Sequence, residues 1–455
     1  MELLITFFIT GVVVFTVYFG INKSRGRQQD TQPSTRTNSR WYVRRVIIAL
    51  AAVVCVVAMI CNLPRKYSAP RAIAKRIQRV GTRSGPTVYR FSNLYSFNLV
   101  DGPAPRFPLT EGNDGYYYGT TTYGGQDGDG TIFRISSVGE MALLHSFNGD
   151  DGGYPNNLLE GDNGNFYGST SAGGLHGFGT IFVITPSGDL TTLYAFTGRE
   201  TDGANGPSEL IWGNDGNFYG TTFGPSPIVF RATTSGKFTT IHQFGAGDLF
   251  VSLVQGSDGN LYGSTAANDY DETKGTIFKF NQAGVLTNLH VFRHFDGSEP
   301  GKLVQGSDGS LYGSTAYGGT FDCGTIFRIT SNGTMTTLHM FQGDDGKQPR
   351  NLVEGAGGNF YGCTNYGGNG HGTLFRITSA GRVTTLHLFS GKDGTGIAEL
   401  TGSSDGNLYG VSYNGGTDGY PDLYGTYERK SSTLGGPGGG NGTGYGTVFK
   451  LTCTY

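Results

Sequence analysis

A Tyr-Gly pair recurs seven times in this chain, with its tyrosine at Tyr118, Tyr167, Tyr219, Tyr262, Tyr312, Tyr361 and Tyr409, at intervals of 43 to 52 residues. A period of that length constrains the fold more than any other feature, because each unit must bury its apolar face against the next. Two further signatures keep the same period. GTIF or a close variant starts at Gly130, Gly179, Gly275, Gly324, Gly372 and Gly446, with Pro227-Ile228-Val229-Phe230 in its place in the third unit. An apolar run closes at Phe147, Phe196, Phe244, Phe292, Phe341 and Phe389.

Each unit reads as four short strands. In residues 300–341, the run at Leu303 leads into the hairpin turn Ser307-Asp308-Gly309-Ser310, where glycine supplies the positive φ. Leu311 to Thr315 follows, then a Gly-rich loop, the strand GTIFRIT, the turn Ser331-Asn332-Gly333 and a fourth strand ending at Phe341. Tandem four-strand units of about 50 residues are the mark of β-propeller blades. The ends support a closed ring. Val88 to Phe97 looks like a fourth strand without its first three, and the last unit stops at its third strand, Gly446 to Thr452. The expected fold is all-β, a seven-bladed β-propeller over 88–455 closed by an N-terminal strand, with a Gly-rich insertion at 414–445. Closure removes the sheet edges that invite aggregation.

The charge is divided. Residues 1–90 carry a net +13 and residues 91–455 a net −15. Two apolar runs, Leu3 to Ile21 and Val46 to Leu63, each approach the ~20 residues that a helix needs to cross a bilayer. The expectation is a transmembrane helix over 1–21, a basic polar linker over 22–45, a second transmembrane helix over 46–64 and a basic juxtamembrane segment over 65–87. Seven basic residues follow each run, so the charge rule alone leaves the orientation tied. The preferred arrangement places the propeller on the extracytoplasmic side of the membrane. The reverse arrangement and a single span share the same charge count. Basic residues beside apolar runs point to membrane topology, and no nucleic-acid partner is expected.

The unit L-x-x-G-x-D-G-N-x-Y-G-[ST]-T, followed by G-T-[IVL]-F-[RK]-[IL]-T and G-x-x-T-T-L-[HY]-x-F, resembles the bacterial tandem-repeat family named GloVer. The resemblance covers residues 88–455 and implies repeats joined to a variable membrane or surface anchor. It implies no activity.

Most recurring residues have structural explanations. The Tyr-Gly tyrosines are expected to fill the core between blades. His145, His242, His290, His339 and His387 alternate with Tyr95 and Tyr194 at one strand-four position, which suits a hydrogen-bonded ring and not a metal site. Asp114, Asp215, Asp258, Asp308 and Asp405 favour hairpin turns, and Asp151, Asp202, Asp296, Asp345 and Asp393 the turns between units. Glu111, Glu160 and Glu354, with Gln255 and Gln305, end the first strands and suggest a polar ring at one mouth of the channel. Calcium is the only cofactor these carboxylates suggest, with Gln126 to Gly130 (QDGDG) as its best candidate, and no D-x-D-x-D-G spacing accompanies it. No nucleophile elbow, phosphate loop or HExxH helix is present.

The loops between second and third strands differ most between units, and loops on a rigid scaffold are where function concentrates. Tyr123, Tyr317 and Tyr366 share one position there beside Gly-Gly, with Tyr413 nearby; His176 and His371 fall in the same loops. These six are the candidate binding residues, the tyrosines suited to stacking on a sugar ring or an apolar ligand. The expected function is a membrane-anchored, ligand- or partner-binding propeller, with glycan or envelope components as candidate partners. A lyase or hydrolase on the same loop face, and a purely structural surface protein, are the alternatives.

Overall fold

The structure is a computed structural model that describes residues 3–9, 13–19, 88–203, 205–224, 226–245, 249–266, 274–281, 284–416 and 444–454. The chain divides into two compact units, residues 1–66 and 67–455. In the first, Leu3–Ile9 and Val13–Phe19 pair antiparallel, with Leu3 opposite Phe19. A helix was expected over these residues. β-Branched and aromatic residues fill both runs, with Thr10-Gly11 between them, a composition that serves a hairpin as well as an apolar helix. The expected linker 22–45, helix 46–64 and juxtamembrane segment 65–87 lie outside the described residues. Among the described residues no helix is long and apolar enough to cross a membrane.

The second unit is a seven-bladed β-propeller of antiparallel four-stranded blades, at residues 110–146, 153–195, 207–243, 249–291, 298–340, 347–388 and 395–454. In blade five the first strand is broken into Ser298–Pro300 and Val304–Gln305, both paired to Leu311–Tyr317. Blade seven takes its fourth strand from the start of the domain. Val88–Ser96 pairs with Thr447–Thr454, with Asn93 opposite Phe449 and Tyr95 opposite Val448. The ring is therefore closed by the N-terminal strand, as the truncated end units suggest. Residues 417–443 of the seventh-unit insertion lie outside the described residues, and Gly415 bridges Tyr445 at its base.

One contact explains both strong sequence signatures. A Cβ built on Gly313 would lie 2.6 Å from the Phe327 ring and 2.9 Å from Leu303, although its backbone is ordinary strand. The phenylalanine of GTIF thus packs on the bare backbone of the Tyr-Gly glycine, and any side chain there collides with it. The tyrosine before that glycine faces the next blade. Tyr118 stacks on Phe166 at 3.8 Å and Tyr312 on Phe360 at 4.0 Å, joining blades one to two and five to six. Its hydroxyl returns to its own turn, where Tyr312 donates to Asp308 at 3.0 Å while the Ser310 N–H closes an Asx turn on the same carboxylate. These tyrosines fill the inter-blade core, as expected.

Candidate functional site

The second strands set out the loop-face tyrosines. At the end of each, a threonine hydroxyl donates to the carbonyl two residues on: Thr121 to Tyr123, Thr315 to Tyr317 and Thr364 to Tyr366, each at 2.9 Å. The three tyrosines therefore leave their blades at one equivalent position. Tyr413 sits one residue earlier in its blade, because Ser412 is the counterpart of those threonines and donates to the Asn414 carbonyl.

Tyr317 and Tyr366 come together. They line a cavity of about 180 Å³ between blades five and six, with Ala316, Glu299, Gln348, Arg350 and Asn365. Arg350 and Glu299 are exposed, whereas Asn365 is only 7% exposed. The Asn365 Oδ1 atom is buried without a hydrogen-bond partner. A buried acceptor left unpaired costs on the order of 1–3 kcal/mol, which a ligand donor would recover. Burial raises the Tyr317 pKa, and the charge of Glu299 adds to it, so this phenol stays protonated. Glu299 and Gln348 are left-handed residues before proline, with φ of 55° and 56°. Ala104 and Tyr154 share that conformation in other blades, so it belongs to the repeat and does not single out this cavity.

Tyr123 lies elsewhere, at the seam of blades seven and one. The Arg106 guanidinium sits 4.8 Å from the Tyr413 ring and 5.9 Å from the Tyr123 ring, while on its other side Tyr123 meets Tyr154 of blade two edge-on at 5.6 Å. His176 is exposed on blade two, and His371 on blade six is partly buried with its Nδ1 unpartnered. Among the described residues no ion pair joins either histidine to the other or to a second titratable group.

The other recurring polar residues hold the ring together. His145, His290, His339 and His387 each pair through Nε2 with the aspartate six residues on, at 2.7 to 3.0 Å. Tyr95 and Tyr194 donate to Asp101 and Asp202 in the same way, so histidine and tyrosine interchange as donors to one carboxylate. The aspartates between units thus latch the fourth strand to the next blade, a role beyond turn formation. The glutamates ending the first strands do not form an open ring at the mouth. Glu160 accepts the Asn113 N–H, Glu354 the Ser307 N–H and Glu111 the Ser404 N–H, each clamping the turn of a neighbouring blade. Among the described residues no group of three or more His, Cys, Asp or Glu side chains is placed to hold a metal ion.

A charged cluster unforeseen in the sequence lies where first strands converge. Lys302 of blade five bonds Glu209 of blade three and reaches Glu399 of blade seven at 3.5 Å. Three non-adjacent blades meet there, which places the cluster across the central channel. The Glu399 side chain is 11% exposed. Burial pushes its carboxyl well above the usual range; Lys302 opposes this and the charge of Glu209 reinforces it. The only sequence signal was the residue before each strand-one leucine, which differs from unit to unit.

Comparison with known proteins agrees with this architecture. Residues 81–251 and 249–434 each match the Gloeobacter/Verrucomicrobia repeat. No curated protein matches the chain in sequence. A streptogramin B lyase structure superposes with a TM-score of 0.53 at 14% identity, covering 80% of this chain and 98% of that one. A catalytically inactive virginiamycin B lyase from Staphylococcus aureus with quinupristin gives 0.53 at 16% identity, covering 80% and 99%. The extracellular domain of a putative hybrid two component system from B. thetaiotaomicron gives 0.50 at 14%, covering 71% and 40%. At these identities the likeness is one of fold, and one propeller fold carries many chemistries.

Proposed function

The chain belongs to the Gloeobacter/Verrucomicrobia repeat family, and from that premise we propose that its propeller is a non-catalytic binding module whose loop face takes a ring-sized ligand between blades five and six. The observation that carries this reading is the meeting of Tyr317 and Tyr366 on one cavity with the unpartnered Asn365 acceptor beneath. At about 180 Å³ the space is smaller than the ~300–1,000 Å³ of sites for drug-sized ligands. It suits one ring of a glycan, an envelope component or another small molecule. Two tyrosines, an arginine, a carboxylate and two amides supply ring faces and hydrogen bonds, but no positioned base and nucleophile.

The lyase or hydrolase reading needs a paired acid and base in a pocket. Among the described residues the His–Asp pairs are the four latches between blades at 2.7 to 3.0 Å and His294 Nε2 to Asp322 Oδ1 at 3.5 Å, the last with both side chains more than half exposed, and none of them belongs to the cavity lining. Binding is therefore the better-supported reading.

The apolar stretch 46–64 and its basic flanks support attachment to a membrane, with the propeller on the extracytoplasmic side. Resistance of the full chain to alkaline carbonate extraction, with protease access from outside intact cells, tests both parts.

For the cavity, the test is calorimetric titration of the full chain in detergent against a panel of methyl glycosides and simple phenols. At least one should bind, and Tyr317→Ala with Tyr366→Ala should abolish that binding while the far-UV spectrum stays that of an all-β protein. A panel in which nothing binds, or binding that survives both substitutions, overturns the reading.

A further inference from the structure

Two seams of the propeller present an arginine and a tyrosine at the same register, and they differ in the size of the residue that faces the arginine from across the seam. Pro105 pairs with Thr121 in blade one as Pro349 pairs with Thr364 in blade six, so Arg106 corresponds to Arg350, Thr122 to Asn365 and Tyr123 to Tyr366. Across each seam, Ile397 pairs with Ser412 in blade seven as Pro300 pairs with Thr315 in blade five, so Tyr413 corresponds to Ala316. At the first seam the Tyr413 ring lies over the Arg106 guanidinium, which is partly buried. At the second, Ala316 offers only a methyl group, the cavity opens and Arg350 is exposed. At both seams the residue just before the loop tyrosine holds a buried oxygen without a hydrogen-bond partner, Thr122 Oγ1 and Asn365 Oδ1.

We propose that the cavity between blades five and six is a site for a phenol-type aromatic ring, seated over Arg350 in the space that Tyr413 fills with its own ring at the equivalent seam. This rests on the reading of that cavity as a ring site and names its ligand class. A guanidinium attracts the face of an aromatic ring through the ring quadrupole, which a sugar ring lacks. A phenol hydroxyl is also a donor, and Asn365 Oδ1 is an acceptor without one. Tyr413 is then a built-in occupant of its seam, not a ligand-binding residue as its sequence position suggests. The ring has two sources with one chemistry, a free phenolic compound or a tyrosine side chain displayed by a partner polypeptide.

The probes are p-cresol, the peptide Gly-Tyr-Gly and methyl β-glucoside, titrated calorimetrically into the full chain in detergent. p-Cresol should bind with a stoichiometry of one. Ala316→Tyr should abolish binding by filling the cavity, and Arg350→Leu should weaken it about tenfold. Tyr413→Ala should raise the stoichiometry to two by emptying the second seam. Should Tyr413→Ala unfold the blade, the Ala316→Tyr and Arg350→Leu results still decide the matter. Tighter binding of Gly-Tyr-Gly than of p-cresol identifies a partner chain as the source, and the reverse a free compound; both support the site. Binding of methyl β-glucoside alone overturns the aromatic assignment and leaves the ring cavity standing. Binding of no probe removes both readings, and p-cresol binding that is unchanged in Ala316→Tyr places the phenol elsewhere and overturns the proposal.

Discussion

Tyr117 of blade one and Tyr409 of blade seven stack across the closing seam, with ring centroids 4.0 Å apart and 28° between their planes. Their hydroxyls remain in use, since Tyr117 bonds the Ser403 hydroxyl at 2.6 Å and Tyr409 donates to Asp405 at 2.8 Å. Phe97, just past the N-terminal strand, meets Phe133 of blade one edge-on at 5.1 Å. The seam is thus packed like the other blade junctions, although its two sides come from opposite ends of the domain.

That packing makes the ring, more than the hydroxyl, the main contributor at Tyr117. Tyr117→Ala is expected to lower unfolding free energy by about 3–5 kcal/mol, as for other buried aromatic truncations. Tyr117→Phe keeps the stack and should cost about 1 kcal/mol for the lost hydrogen bond. Urea denaturation checks both, and equal losses would show that the hydrogen bond dominates.

The latch between blades predicts its own tolerated substitution. His339 pairs with Asp345 at 2.7 Å, and other blades use tyrosine for the same task. His339→Tyr should therefore stay within about 0.5 kcal/mol of the parent, whereas His339→Leu should cost about 1–2 kcal/mol. Burial opposes ionisation of Asp345 and Asp393, but the histidine bond and a backbone N–H outweigh it and hold both carboxyls below their ordinary value. A depressed carboxyl contributes stability that is present above the unfolded pKa of about 3.9 and is lost as pH falls through the lower folded value. Acid melting curves should show that loss, and Asp345→Asn should reduce it.

What was legible in the sequence is what each unit states by itself. Period, turn chemistry and the truncated end units give seven blades, four strands each and the closing strand, because those follow from local contacts such as Gly313 against Phe327. The meeting of Tyr317 with Tyr366 was legible as shared position, but not as a cavity, which depends on Ala316 being small. The latch is not legible in the sequence because His339 and Asp345, six residues apart, each have a local explanation, one in a strand and one in a turn. Glu209, Lys302 and Glu399 were invisible for a different reason. They occupy a register whose residue type changes from unit to unit, and only the circular arrangement makes three alternate blades adjacent. The strand pair at residues 3–9 and 13–19 leaves the transmembrane helix expected over 1–21 without support.

The Tyr-Gly glycine gives a substitution whose cost is purely steric. Gly313→Ala changes no hydrogen bond and no left-handed backbone, yet its methyl group would meet the Phe327 ring at 2.6 Å. Overpacking of this kind costs about 1–3 kcal/mol. A fall in melting temperature for Gly313→Ala, partly restored by Phe327→Leu in the same chain, would locate the clash; no restoration would place the cost elsewhere.

The channel cluster has a pH dependence opposite to that of the latches. One lysine serves two carboxylates there, with Glu209 the closer partner, and buried Glu399 is left with the weaker share at 3.5 Å. Its folded-state pKa is raised, so the folded chain keeps a proton that the unfolded chain releases above about pH 4.3. The resulting stability is fully present below that pH and is lost as pH rises through the folded value, because the unfolded state then binds fewer protons than the folded one. Glu399→Gln mimics the protonated form. Its stability should therefore fall less than the parent's between pH 5 and about 9, and the two should converge at the acid end of that range. Urea unfolding followed across the range checks this. Parallel curves for the two proteins would mean that Lys302 compensates Glu399 fully and that its carboxyl ionises in the ordinary range.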